Sequence, residues 1–114
     1  MDCPNIGNLV LSNESRKGIQ RIKSIPGLAN NLAKSVGYGQ VVNLFVSPTP
    51  SAATIYSIQS TDWRLFSRAM FSIPSIARAS IANEARDQWI DAQLKNRFAE
   101  AKFWEAVANG CTLR

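Results

Sequence analysis

Apolar positions in this chain recur mostly every three or four residues, the spacing of a helix with one buried face. Ile19, Ile22 and Ile25 form one such stripe. Ser12 or Asn13 precedes it as a cap, because a short polar side chain accepts hydrogen bonds from the first free helical amides. Pro26-Gly27 stops it. Leu28, Leu32 and Val36 predict a second short helix over 28–36, with Gly37 as its left-handed C-terminal residue. Residues 1–12, ending in Asn8-Leu9-Val10-Leu11-Ser12, predict an extended arm or short strand.

The middle of the chain departs from this spacing. Val41-Val42-Asn43-Leu44-Phe45-Val46 is β-branched and aromatic, and Ala52 to Ile58 follows a Pro48-Thr49-Pro50 interruption. Together they predict a β-hairpin or extended segment over 41–58. A lone hairpin is marginal in water, so it needs cover. Thr61-Asp62 then starts a helix carrying Trp63, Leu65, Phe66, Met70 and Phe71, which ends at Pro74.

From Ser75 to Asn109 the chain has neither proline nor glycine, and Gly110 follows as a stop. The pattern predicts one long helix over 75–109, roughly 45–50 Å at 1.5 Å per residue. On a helical wheel it carries two apolar stripes. One holds Ile76, Ile90, Leu94, Phe98, Ala101 and Ala108; the other holds Ile81, Ala85, Trp89, Ala92, Phe103 and Val107. Arg86, Gln93 and Arg97 form a thin line between them. A surface helix needs one such stripe. With two, either the helix crosses the middle of the domain or a neighbouring subunit buries its second face; the length of the helix favours a neighbour, and Ile81, Ala85, Trp89, Phe103 and Val107 are the expected partner surface.

Composition narrows the chemistry. The chain has 114 residues, which suits a single domain spanning 1–114, and the elements above make its fold class mainly α. It has no histidine, so the commonest general base and zinc ligand is missing, and Ser-His-Asp or Cys-His catalysis cannot be built within one chain. Its two cysteines, Cys3 and Cys111, form no C-x-x-C pair and predict no zinc site. Gly37-Tyr38-Gly39 lacks the remaining elements of a phosphate cradle. Glu84, Asp87 and Asp91 place carboxylates on successive helical turns, but on the polar face beside Arg86 and Lys95, where a solvated surface is the simpler account. No catalytic residue, cofactor or metal is expected. No run of about 18 apolar residues predicts a transmembrane helix. The segment from Met1 to Asn5 has no basic, then apolar, leader pattern, so residence in the cytoplasm, or in a particle assembled there, is expected.

Thirteen Lys and Arg against eight Asp and Glu give a net charge of +5. The excess falls in the first two-thirds of the chain. Arg16, Lys17, Arg21 and Lys23 lie within eight residues and are the candidate phosphate contacts; on a helix the first three share roughly one side and the isoleucine stripe takes another. Tyr38, Phe45, Tyr56, Trp63 and Phe66 do not alternate with basic residues, so core packing accounts for them better than base stacking.

Two functional expectations follow. The first is a non-catalytic structural subunit of a larger assembly, of the kind found in virus or phage particles, touching protein partners or its own copies through the long helix and the N-terminal arm. The alternative is a small basic nucleic-acid-binding protein using residues 16–23. An inhibitor docking one apolar helix face on another protein would share the first pattern.

Overall fold

A computed structural model describes residues 3–33, 39–48 and 51–112. The first strand, β1 (Ile6–Val10), is the core of the expected arm. Helix α1 (Asn13–Lys23) begins where the polar residues predict. The Ser12 side chain accepts a hydrogen bond from the Ser15 amide at 3.2 Å, Glu14 sits in the first turn, and Arg21 and Lys23 sit in the last. That charge order complements the helix dipole. Ile19 and Ile22 are buried, and Gly27 turns the chain with a φ of 77°. Helix α2 (Leu28–Ala33) follows; its expected end at Gly37 lies outside the described residues.

Residues 41–46 are not a strand. They lie in helix α3 (Gln40–Val46), which buries Val41, Val42, Leu44 and Phe45. Spacings of one, three and four residues put these on one helical face, and burial overrides the weak β preference of valine. Strand β2 (Ile55–Ile58) therefore pairs with the N-terminal arm instead of with 41–46. The pairing is antiparallel, with Ile6 opposite Ile58 and Val10 opposite Ile55. Its register breaks between Ile6 and Leu9, where Asn8 has a φ of 54°. Asparagine tolerates that left-handed conformation better than most residues.

Helix α4 (Ser60–Met70) starts two residues before the expected Asp62: Gln59 is its cap and Asp62, in the first turn, reaches back to it while also serving a second helix. Its Oδ2 accepts from the Gln59 amide at 2.8 Å and its Oδ1 from the Gln40 amide at 3.0 Å. One carboxylate thus sits at the positive ends of both α3 and α4. Asn5 adds to this junction by accepting from the Ser60 amide at 2.8 Å, and the Pro4 carbonyl accepts from Trp63 Nε1 at 2.8 Å.

The C-terminal segment is helical as expected, but a turn at 95–97 divides it into α5 (Ser75–Leu94) and α6 (Phe98–Thr112). Asn96 has a φ of 60°, its amide donates to the Gln93 carbonyl at 3.2 Å, and the Arg97 amide donates to the Ala92 carbonyl at 2.8 Å. This is a Schellman ending with asparagine at the left-handed position usually held by glycine. Helix α6 then packs back along α5. Gly110 is not the stop: it lies inside α6, where an added Cβ would come within 2.8 Å of the Phe66 ring. Close approach, not chain termination, explains the glycine.

The core sits between this helix pair and the N-terminal half. Trp63 packs its ring 5.7 Å from that of Phe103 and 6.1 Å from Phe66, and Phe103 lies 5.0 Å from Trp104 in an edge-on contact. Phe45 closes on Phe66 at 5.8 Å. Of the residues considered above as stacking groups, Phe45, Trp63 and Phe66 are buried core and Tyr56 is half-buried; Tyr38 lies outside the described residues.

Candidate functional site

The fold-back of α6 on α5 reverses the two apolar stripes. Ile81, Ala85, Phe103 and Val107, expected to meet a partner, are 0–1% exposed inside the domain's own core, and Trp89 is half-buried against it. The reason is geometric. Once the chain turns at Asn96, the Ile81–Ala85 face of α5 and the Phe103–Val107 face of α6 both point into the domain. The opposite stripe is the open one: Ile76 is 78% exposed, Ile90 50%, Leu94 78% and Phe98 59%. Only its alanines, Ala101 and Ala108, are buried. Scattered apolar residues on a surface need no explanation, but three large ones on one helix face do; Phe98, past the turn in α6, borders a recess with Asn5, Ile6 and Gly7 of the arm.

Near Ile76 this face borders a cleft of about 340 Å³ lined mainly by Ile25, Pro26, Leu28, Pro74 and Ala77. At the other end, Ile90 and Leu94 are one helical turn apart and Phe98 follows the Asn96 turn. The arm expected to reach neighbours is instead used internally: Ile6, Leu9 and Leu11 are buried. Its exposed exceptions are Val10 and, opposite it on β2, Ile55.

A polar cluster lies beneath the turn. Glu100 is 6% exposed and accepts hydrogen bonds from the Ser12 amide at 3.0 Å, the Ser12 hydroxyl at 2.7 Å, the Ser15 hydroxyl and Arg97 Nη1 at 3.0 Å. Trp104 Nε1 donates to Ser15 Oγ at 2.9 Å. Arg97 also pairs with Asp91, which Lys95 approaches at 3.1 Å. A serine beside a carboxylate has the residue types of a nucleophile and base. Here Ser15 is fully buried, and its oxygen is already held between the Glu100 carboxylate and the Trp104 donor. The arrangement fastens α6 to the start of α1. No periodicity points to it, because its members lie 85 to 89 positions apart.

The basic residues of α1 are dispersed rather than gathered. Arg21 Nη1 pairs with Glu84 Oε2 at 2.9 Å, the Lys23 ammonium donates to the Ser47 carbonyl, and Arg16 is half-buried with its Nε enclosed. Lys17 points outward. The candidate carboxylates are also engaged, Glu84 by Arg21 and Gln88, and Asp91 by Arg97 and Lys95. Among the described residues, no group of three or more acidic or cysteine side chains is placed to hold a metal ion, and no helix is long and apolar enough to cross a membrane. Cys3 and Cys111 are thiols; burial pushes the Cys111 thiol up to about 12, against the pull of Arg78 and Arg86. A thiol so rarely ionised is a packing group and not a nucleophile.

Comparison with protein-family models, with curated protein sequences and with solved structures finds no match to this chain.

Proposed function

We propose that this chain is a non-catalytic subunit of a larger protein assembly, and that it meets its neighbours through the outer face of α5 and the adjoining turn. One observation carries the reading: Ile76, Ile90 and Leu94 stand exposed on the side of α5 opposite the core. Exposing such groups costs solubility, and their burial against a neighbour removes that cost. The sequence offers no histidine, and the buried polar cluster at Glu100 has no open reacting group, so the surface is the better candidate for function than any enclosed site. A virus or phage particle is one setting that uses small basic subunits of this kind.

The nucleic-acid alternative has less support. Two of its four residues, Arg21 and Lys23, are already engaged within the chain. It also predicts binding that weakens steeply with salt, whereas apolar association does not.

The test is the native mass of the chain isolated gently from its source. The proposal expects elution above the 12.5 kDa of one chain, in constant stoichiometry, and a shift to the single-chain position for Leu94→Lys. A 12.5 kDa species for the unaltered chain would refute it.

A further inference from the structure

We infer that the outer face of α5 is covered by the same face of a second copy of this chain, running antiparallel about a two-fold axis near residue 85. The inference rests on the assembly reading above and names the partner.

The face consists of Ile76, Ser80, Asn83, Asp87, Ile90 and Leu94, all exposed. Their spacings are four, three, four, three and four, the seam of a two-helix coil. The seam is apolar at its two ends and polar at its centre. Two-fold interfaces are self-complementary, so each residue must suit the one the axis brings opposite it. Antiparallel pairing about residue 85 sets Ile76 against the partner's Leu94 and small Ser80 against the partner's Ile90. It sets Asn83 against the partner's Asp87, so that an amide can donate to a carboxylate, and the axis makes every pair twice. Parallel, in-register pairing would set Asp87 against the partner's Asp87, two like charges in a closing seam.

The surroundings agree with the antiparallel register. It carries the partner's Leu94 to the start of α5, where the cleft of about 340 Å³ between Pro26, Leu28, Pro74 and Ala77 adjoins Ile76. The most exposed apolar group at one end thus meets an apolar recess at the other, on both sides of the axis. The contact is small. Twenty helical residues span roughly 30 Å. The exposed seam of each copy gives an interface of about 1,000 Å² in total, the lower limit for specific association. Arg86 lies beside the axis on the flank of the seam and faces the partner's Arg86, and each copy carries +5. The dimer is therefore weak, and screening by salt strengthens it.

Sedimentation equilibrium of the purified chain, from about 10 µM to about 1 mM, spans the range expected of so small an interface. The mean mass should rise from 12.5 kDa toward twice that value, at lower concentration in high salt than in low salt. Asn83→Lys decides the orientation: antiparallel pairing places the new charge on the partner's Asp87 and tightens the dimer several-fold, whereas parallel pairing opposes two lysines and weakens it. A single-chain mass throughout, or weakening by Asn83→Lys, overturns the inference. If the purified chain stays single while the form isolated from its source is larger and is released by Leu94→Lys, this inference fails and the assembly reading survives. If both forms are single chains, both fail.

Discussion

The backbone amide of Ser12, at the entry to α1, donates to the carboxylate of Glu100 in α6 at 3.0 Å, joining positions 88 residues apart. The Ser12 hydroxyl adds a second bond to the same oxygen at 2.7 Å while capping α1. Glu100 thereby holds the returning helix against the first one. Removing it by Glu100→Ala leaves the Ser12 amide and the Ser12 and Ser15 hydroxyls without their acceptor and takes from Arg97 one of its two carboxylates. Such a truncation within a buried charged network costs about 3–5 kcal/mol. Urea unfolding should read that loss, with a smaller one for Glu100→Gln.

Asn96 governs the turn between α5 and α6. Its φ of 60° is left-handed, which glycine adopts freely and alanine does not. Asn96→Gly should leave stability unchanged or raise it slightly, while Asn96→Ala should lower it by about 1 kcal/mol. Thermal midpoints of the two variants, run side by side, check the sign of each.

Gly110 faces Phe66 too closely for any side chain. A Cβ there would lie 2.8 Å from two ring atoms, and that ring is hemmed in by Phe45 and Trp63. Gly110→Ala should therefore cost about 1–3 kcal/mol, the range for overpacking, despite the better helix propensity of alanine. Calorimetry of the variant reads this directly.

Cys111 makes stability fall at high pH. Its thiol is raised from 9.0 to about 12 in the folded chain by burial, so the folded state keeps the proton where the unfolded state loses it. The stabilisation is fully present below pH 9 and is lost between pH 9 and about 12, at about 1.4 kcal/mol per pH unit. Tyr56, also raised by burial, acts in the same direction above pH 10. Urea unfolding across pH 8–11 should show the decline, and Cys111→Ala should make it shallower.

The sequence made the helical start at Ser12, a stop just before Pro26-Gly27 and a helix start near Asp62 legible, because each depends on side chains near in sequence. The mainly α class followed from those local signals. The apolar run 41–46 is too short for periodicity to separate helix from strand, and tertiary burial decided it. Asn96 was hidden because an asparagine turn inside an alanine-rich run carries neither of the usual breakers. Missing that turn also misassigned the stripes: which face of α5 is interior depends on where α6 lies, and a straight helix leaves both choices open. The Glu100 cluster gave no signal because its parts meet only after folding.

The central claim is that the Ile76–Ile90–Leu94 face of α5 meets neighbours while the Phe103–Val107 stripe is core. Hydroxyl-radical footprinting, read by mass spectrometry in dilute and in concentrated high-salt samples, tests both halves at once. Ile76, Ile90 and Leu94 should be oxidised in the dilute chain and protected in the concentrated one, with Phe103 and Val107 protected in both. Equal oxidation of Ile90 and Leu94 in the two samples, or protection that changes at Phe103 and Val107 instead, would contradict it.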